Sequence, residues 1–258
     1  MKEVIVMPTC KRPEFLALAL EKLSAAPKEH PSDLDVYIYA DTSADISSVE
    51  FVRDRYFPEA TVYQWANHPA APSGTWNILN AIKGGYDTGA DLVYLVEEDV
   101  MVRPEFFDWH RSIHDAGAHD GTVLATCGRV EPRLQKLFGD VYTNPGSALT
   151  RTLIKELIPH MNDSYYSDPA GYVLQHFEPW LGMSILDDGL IRRVIKKMGG
   201  RSLTATEGVA VHQGFHFYNQ LDRYMNFEGD IEHKIARLRE IIAGIVPGER
   251  YATDFEPF

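Results

Sequence analysis

The sequence predicts an α/β fold built around a mostly parallel β-sheet with helices on both faces. Short runs rich in valine, isoleucine and leucine alternate with amphipathic segments along the first half of the chain, and this alternation is typical of right-handed βαβ units. One run, residues 92–96, is apolar throughout and too short for an ordinary helix, as expected for a central strand buried on both faces. A chain of 258 residues can bury a sizeable core in one such domain.

In the first half, the hydrophobic pattern predicts three helices between four strands. Pro13 opens the first helix, because proline is favoured in the first helical turn, and Pro72-Ser73-Gly74 precedes the third. The predicted strands are residues 2–7, 35–40, 61–65 and 92–96. The first predicted helix begins at Pro13, and the other two cover Ile46–Tyr56 and residues 75–86.

The second half of the chain gives a mixed pattern. Residues 129–144 allow no assignment, and Gly146 introduces a predicted helix that continues to about His160. Residues 161–179 are rich in tyrosine, aspartate and proline, so we expect an irregular loop that closes over a ligand. The other predicted elements are a helix over residues 105–116, a strand over Val123–Cys127, a helix from Asp187 to Gly199-Gly200, a strand near residues 202–204 and a helix through Ile245.

The charge balance disfavours two classes of partner. The 25 basic and 37 acidic side chains give a formal net charge of −12, which opposes nonspecific attraction to nucleic acid or to an anionic membrane but is compatible with one local basic groove. No segment approaches the ~20 apolar residues that span a bilayer. The N-terminal MKEVIVM lacks the regions of a secretory signal, so we expect a cytoplasmic protein. Cys10 and Cys127 are too few for a disulfide framework, so we expect both to be reduced.

Three consecutive acids, Glu97, Glu98 and Asp99, follow the predicted central strand. Parallel sheets bind ligands outside the carboxyl ends of their strands, and carboxylate oxygens suit a hard divalent cation. Alternatively, the acids only end the strand and charge a loop. His212 and His216 could add an imidazole ligand, which also suits manganese, or could be structural hydrogen-bonding residues. Spacing alone leaves open whether the acids and the histidines meet.

Asp187 and Asp188 stand at the start of a predicted helix. One interpretation is an N-cap with a favourable carboxylate in the first turn. The other is a general base, since a helix N-terminus helps to keep a carboxylate ionised and able to take a proton from an attacking hydroxyl. The sequence alone leaves both interpretations open.

The ends of the first two strands supply Pro8, Thr9, the nearby Arg12, and Asp41. Loops at these ends line the crevice in which α/β sheets bind nucleotides, and an acid there can accept a hydrogen bond from a base N–H or a ribose hydroxyl. The sequence contains neither a GxxxxGK[ST] phosphate loop nor a GxGxxG motif. Simple kinases and dinucleotide dehydrogenases are therefore disfavoured.

Several segments resemble the nucleotide-sugar glycosyltransferases of the GT-A fold, and the N-acetylglucosaminyltransferase I group in particular. In that group a valine-rich strand ends in Glu-Asp-Asp and precedes a Pro-Glu/Asp-Phe-Phe helix start, as VYLVEEDVMVRPEFF does here. LDDGLIRR resembles its Trp-Asp-Asp-Trp-Met-Arg helix start, and VHQGFHFYNQ resembles its Ser-His-Gly-Gln-Phe-Phe stretch. The other matching segments are PTCKRPEFL, YADTS and SGTWNILNA, and the resemblance covers most of residues 3–220.

The resemblance implies specific roles for these residues. It implies Mn²⁺ or Mg²⁺ bound by Asp99 and His212, with Asp187 or Asp188 as the catalytic base. The residues assigned to the sugar donor are Pro8, Thr9, Arg12, Asp41, Asn77, Glu97 and Glu98. The sequence departs from the pattern at Glu98, where the group has Asp, and at Leu186 and Gly189, where it has Trp. These changes leave the identity of the sugar open.

The resemblance also implies a single GT-A domain over residues 1–258 with an acceptor-side lobe. We expect residues 1–127 to bind the nucleotide sugar, residues 128–220 to form the acceptor side and residues 221–258 to form a C-terminal helix and tail. The implied activity is inverting transfer of a hexosyl or N-acetylhexosaminyl group from a UDP-sugar to a hydroxyl. Two alternatives remain open: a nucleotidyltransferase on a similar sheet and a non-catalytic nucleotide-sugar-binding protein. A modified DNA base as acceptor is disfavoured by the charge.

Overall fold

A computed structural model of the protein describes residues 1–26, 34–115, 121–129, 141–179, 183–213 and 229–243. The strands are β1 (Glu3–Thr9), β2 (Leu34–Ala40), β3 (Thr61–Gln64), β4 (Leu92–Leu95), β5 (Val100–Val102), β6 (Val123–Cys127), β7 (Ser147–Thr150), β8 (Arg201–Thr204) and β9 (Ala210–His212). The helices are α1 (Pro13–Ala25), α2 (Ile46–Tyr56), α3 (Ser73–Asp87), α4 (Phe106–His114), α5 (Arg151–Leu157), α6 (Asp163–Ser167), α7 (Pro169–His176), α8 (Asp187–Lys197) and α9 (Ile231–Ala243). A 3₁₀ turn, Ile158–His160, follows α5.

Within these residues, seven strands form one sheet in the order β3-β2-β1-β4-β7-β6-β8. The strand pairs are parallel except those of β7, which runs antiparallel to both β4 and β6. The mostly parallel sheet predicted from the sequence is therefore confirmed. β5 and β9 form a separate antiparallel pair, in which Val100 lies opposite His212.

The sheet separates two hydrophobic cores, and β1 contributes to both. All seven residues of β1 are buried, with Ile5 and Met7 in one core and Val4 and Val6 in the other. This alternation follows from the two-residue period of a strand. Residues of α1, α2, α4 and α9 pack in the first core, and residues of α3, α5 and α8 pack in the second. No helix in the described part of the chain is long and apolar enough to cross a membrane.

The helix predicted from Gly146 is wrong in its first turn, because residues 147–150 form β7. Gly146 has a positive φ of 66° and makes the turn that precedes this strand. Ala148 and Leu149 are fully buried between β4 and β6. The helix begins only at Arg151, after the Thr150 side chain accepts a hydrogen bond from the Leu153 amide at 3.3 Å. A short apolar run does not distinguish a strand from the first turn of a helix.

The irregular loop predicted over residues 161–179 is also wrong, because this segment forms α6 and α7. Asn162 caps α6 by accepting from the Tyr165 amide at 3.1 Å, and Asp168 caps α7 by accepting from the Gly171 amide at 2.9 Å. Pro169 occupies the first turn of α7. Asp168 and Pro169, of the residue types that suggested a loop, are therefore helix-start residues, as is Asn162. This segment does not support a closing loop.

Candidate functional site

Asn77 of α3 joins the ends of β1, β2 and β3. Its amide nitrogen donates to the carbonyl oxygens of Thr9 and Tyr39, both at 3.1 Å, and its amide oxygen accepts from Trp65 Nε1 at 3.0 Å. The two N–H donors of the amide are thus used within the protein. The structure places Asn77 beneath the predicted donor crevice, where it fixes the relative positions of the strand ends. Pro8, another predicted donor residue, is buried within β1.

Glu98 connects the end of β4 to the segment after β1. Its Oε2 accepts hydrogen bonds from the Thr9 hydroxyl and, at 2.8 Å, from the Cys10 amide, while Oε1 accepts from Arg12 Nε at 2.8 Å. The side chain is almost completely buried. Burial raises the pKa of Glu98, and the Arg12 charge opposes this effect. Glu98, Thr9 and Arg12 therefore meet at the ends of β1 and β4.

Asp99 is held between Arg12 and His212. Arg12 Nη1 lies 2.9 Å from Asp99 Oδ2, and His212 Nε2 lies 3.2 Å from Asp99 Oδ1. The pairing of β5 with β9 brings His212 to this position, and the Gln213 amide donates to the Asp99 carbonyl oxygen at 2.8 Å. Burial acts to raise the pKa of Asp99, but His212 and then Arg12 hold it well below its ordinary value. His216 lies outside the described residues.

Glu97 lies beside these groups, although the resemblance assigned it to the sugar donor. One potential ligand atom each from Glu97, Asp99 and His212 lie within 4.8 Å of one another. Burial raises the pKa of Glu97 well above its ordinary value, and the charges of Asp99 and Asp187 add to the effect. Two carboxylates and an imidazole fit Mn²⁺, and a divalent cation would relieve the repulsion between the acids.

Asp187 and Asp188 begin α8, but neither is its N-cap. The N-cap is Leu186, which provides no side-chain hydrogen bond, so the N-cap assignment is wrong, whereas both carboxylates do lie in the first turn of the helix. Asp187 is buried, and its two oxygens accept from the Thr75 hydroxyl at 2.8 Å and from the Asn144 amide nitrogen. Asp188 is more exposed and lies 3.2 Å from Arg192 Nη2.

The electrostatics of Asp187 also differ from the sequence expectation. Burial raises the pKa of Asp187, the neighbouring Asp188 raises it further, and the hydrogen bonds from Thr75 and Asn144 only partly oppose this. Burial thus outweighs the helix N-terminus, which we expected to keep the group ionised. The charge of Asp187 also raises the pKa of Glu97, so the two carboxylates are near enough to influence each other. Sequence reasoning missed Thr75, within SGTWNILNA, and Asn144, in the unassigned segment.

Asp41 follows β2, and its two oxygens differ in their hydrogen bonds. Its Oδ1 accepts from the amide and the hydroxyl of Ser43, at 2.7 and 2.6 Å. Its Oδ2 is buried and accepts no hydrogen bond of good geometry from the described residues. Burial acts to raise the pKa of Asp41, but the Ser43 hydrogen bonds, and to a smaller extent the Asn67 side chain and the Lys11 charge, hold it below the ordinary value. The side chain is therefore ionised, and Oδ2 is the less satisfied of its two oxygens.

Comparisons with known proteins find similarity in structure. No protein-family model matches the chain, and no curated protein matches its sequence. A mannosyltransferase from Pyrobaculum calidifontis, PcManGT, solved with GDP-Man and Mn²⁺, is similar at 13% identity and a TM-score of 0.56 over 98% of this chain and 78% of that one. The galactosyltransferase LgtC, solved with donor and acceptor sugar analogues, has 14% identity and a TM-score of 0.53 over 97% and 99%.

A third similar structure is glucosyl-3-phosphoglycerate synthase from Mycobacterium tuberculosis in complex with phosphoglyceric acid. It has 15% identity and a TM-score of 0.54, over 96% of this chain and 81% of that one. The chain has the GT-A fold. Identities this low establish the fold alone, so the closer resemblance to the N-acetylglucosaminyltransferase I group stays a prediction.

Proposed function

We propose that the protein is a divalent-metal-dependent glycosyltransferase that uses a nucleoside-diphosphate sugar. The observation that carries this proposal is the cluster of Glu97, Asp99 and His212 at the strand ends, next to the buried Asp187. Transfer from a diphosphate leaving group to a hydroxyl requires a metal site and a nearby proton acceptor. Proteins of similar fold were solved with such donors: PcManGT with GDP-Man and Mn²⁺, and the mycobacterial synthase with UDP-glucose and Mn²⁺.

Glu97, Asp99 and His212 would hold the cation. Bound there, Mn²⁺ or Mg²⁺ supplies positive charge that stabilises the departing diphosphate. Arg12 holds Asp99 Oδ2 at 2.9 Å, which leaves Oδ1, the oxygen beside His212, for the ion. Glu98 keeps the segment that carries Arg12 against the acid triplet.

Asp187 is the proposed catalytic base, with Asp188 as the second candidate. The acceptor hydroxyl oxygen bonds to the anomeric carbon while its proton passes to Asp187, and the bond from that carbon to the phosphate oxygen breaks with its electron pair going to the nucleoside diphosphate. A raised pKa suits a base that takes a proton near neutral pH. Thr75 and Asn144 orient the carboxylate. A single in-line displacement inverts the anomeric configuration.

The proposed nucleotide is uridine diphosphate. Asp41 Oδ2 is the proposed acceptor for the base, because Ser43 donates only to the other oxygen. One carboxylate oxygen matches the single N3–H of uracil, whereas the N1–H and N2–H of guanine suit both oxygens of a carboxylate. Whether the sugar is a hexose or an N-acetylhexosamine is left open by these contacts.

A two-stage experiment tests the proposal. Melting temperatures measured with UDP-sugars and GDP-sugars, with and without Mn²⁺, should show metal-dependent stabilisation by UDP-sugars. The products formed with a panel of acceptors then identify the reaction. Free nucleoside diphosphate indicates glycosyl transfer, whereas pyrophosphate indicates nucleotidyl transfer. Binding without any product would favour a non-catalytic nucleotide-sugar-binding protein.

A further inference from the structure

A cationic cavity lies against α8, the helix that begins with Asp187. Its volume is about 390 Å³, and its lining residues are His176, Phe177, Glu178, Arg193, Lys196 and Lys197. Three of these side chains are cationic and one is a carboxylate, in a chain whose net charge is −12. A local positive site in an acidic protein indicates an anionic ligand.

Arg193 is a buried cation whose hydrogen-bonding capacity is only partly used. It is 4% exposed, and its Nη1 donates to the carbonyl oxygens of Ser184 and, at 3.0 Å, Gly189. Its buried Nε makes no hydrogen bond in the described part of the chain. Among the described residues, no carboxylate lies within the 4.0 Å of an ion pair with this guanidinium. Asp188 interacts with Arg193 only beyond ion-pair distance and pairs with Arg192 at 3.2 Å. Buried charges are normally paired closely, so an anion bound in the cavity would supply Arg193 with a close counter-ion.

The carboxylate of the cavity does not fill this role. Glu178 pairs with Lys196 at 3.0 Å. Lys197 is exposed at the edge of the cavity, where its Nζ lies 5.6 Å from the centroid of the Phe177 ring. Arg193 and Lys197 together can therefore bind one dianionic group.

The cavity and the proposed catalytic base lie along the same helix. Arg193 follows Asp187 by six positions on α8, a rise of roughly 9 Å along the helix. The Arg193 guanidinium turns back towards the first turn, because it contacts the carbonyl oxygens of Ser184 and Gly189 on either side of Asp187. A ligand whose anionic group binds in the cavity and whose remainder extends along α8 would therefore bring a hydroxyl to the first turn, where Asp187 lies.

We propose that the acceptor carries a phosphate monoester, which binds to Arg193 and Lys197 while an acceptor hydroxyl faces Asp187. This inference rests on the proposed glycosyl transfer for the role of the ligand, but phosphate binding itself can be measured without any transfer. The sequence alone left the class of acceptor open.

The first test measures binding of inorganic phosphate by calorimetry, with Mg²⁺ and UDP at saturating concentration so that phosphate does not enter the nucleotide site. Arg193→Gln and Lys197→Gln should each weaken phosphate binding about tenfold or more, because each removes a charged hydrogen-bond donor. Lys83→Gln is the matched control, since it removes one exposed positive charge on α3. Lys197 is exposed, so its variant keeps the test valid even if Arg193→Gln folds poorly.

Three outcomes would overturn the phosphate assignment: no binding to the wild type, equal binding to all four proteins, or acetate binding as tightly as phosphate. The second test measures UDP release from a UDP-sugar with sugar monophosphates and with the matching unphosphorylated sugars. Release should require the phosphorylated acceptors and should fall in Lys197→Gln. Release with unphosphorylated sugars alone would refute the inference and keep the proposed function, whereas phosphate binding without donor binding or release would refute the proposed function.

Discussion

Asp99 and Asp187 are two buried aspartates of one site whose pKa values move in opposite directions. Their exposed fractions are 1% and 8%, so burial acts to raise the pKa of both. Asp99 faces His212 and the guanidinium of Arg12, which together more than offset burial. Asp187 faces neutral donors and a second aspartate, so burial prevails. The neighbours, and not the residue type, therefore suit one carboxylate to bind a metal ion and the other to accept a proton.

The largest expected effect comes from removing the metal-binding carboxylate. Asp99→Ala should lower kcat/KM for UDP release by about 10³ or more, because a cation beside a diphosphate contributes several kcal/mol. Mn²⁺ binding, measured by calorimetry, should be lost in parallel. Exhaustive chelation of the wild type should reproduce the loss, and full activity after chelation would contradict the metal assignment.

Removing the proton acceptor should give a different kinetic pattern. Asp187→Asn keeps the shape of the side chain but cannot take a proton, so kcat should fall by roughly 10²–10⁴ while the affinities for Mn²⁺ and donor are retained. Asp188→Asn is the matched control and should change kcat by less than about tenfold. If the two effects are reversed, Asp188 is the base; wild-type turnover in both variants would exclude the mechanism.

Asp41 extends the comparison to a third carboxylate, whose pKa is lowered mainly by hydrogen bonds from neutral groups. Asp41→Ala should weaken UDP binding by roughly tenfold, the value of one hydrogen bond to a charged group, with kcat nearly unchanged. GDP binding should change less than UDP binding. An effect confined to kcat would remove Asp41 from nucleotide recognition.

The smallest effect tests the pKa of Asp187 directly. Because this pKa is raised, activity should rise with pH above the range of an ordinary aspartate, as the base ionises. Thr75→Val removes a hydrogen bond that lowers the pKa, so the rise should move to higher pH and kcat at neutral pH should fall by roughly three- to tenfold. Thr75→Ser should restore the wild-type profile. An unchanged pH profile in Thr75→Val would show that another group controls it.

The sequence alone determined the first half of the fold and the residue types of the site. Helix α2 and strand β6 match their predicted bounds, and the acid triplet follows its strand as expected. These elements were predictable because the spacing of apolar residues that distinguishes a strand from a helix is a local property of the sequence. β7 was not, because Ser147–Thr150 is a strand only through its pairing with β4 and β6. The residues that cap α6 and α7 are equally typical of a loop and of a helix start, and only the conformation of the residues that follow them distinguishes the two.

Only the tertiary structure decided how the candidate residues are combined. The β5–β9 pairing brings His212 to Asp99 although 113 positions separate them in the chain, and it leaves Glu97 beside both. Thr75 and Asn144 reach Asp187 from two other segments. Arg193 belongs to the run of basic residues that the sequence places on the outer face of α8, yet it is buried, with no carboxylate within ion-pair distance among the described residues. Charge, burial and distance between remote segments set each of these properties, and a linear pattern contains none of them.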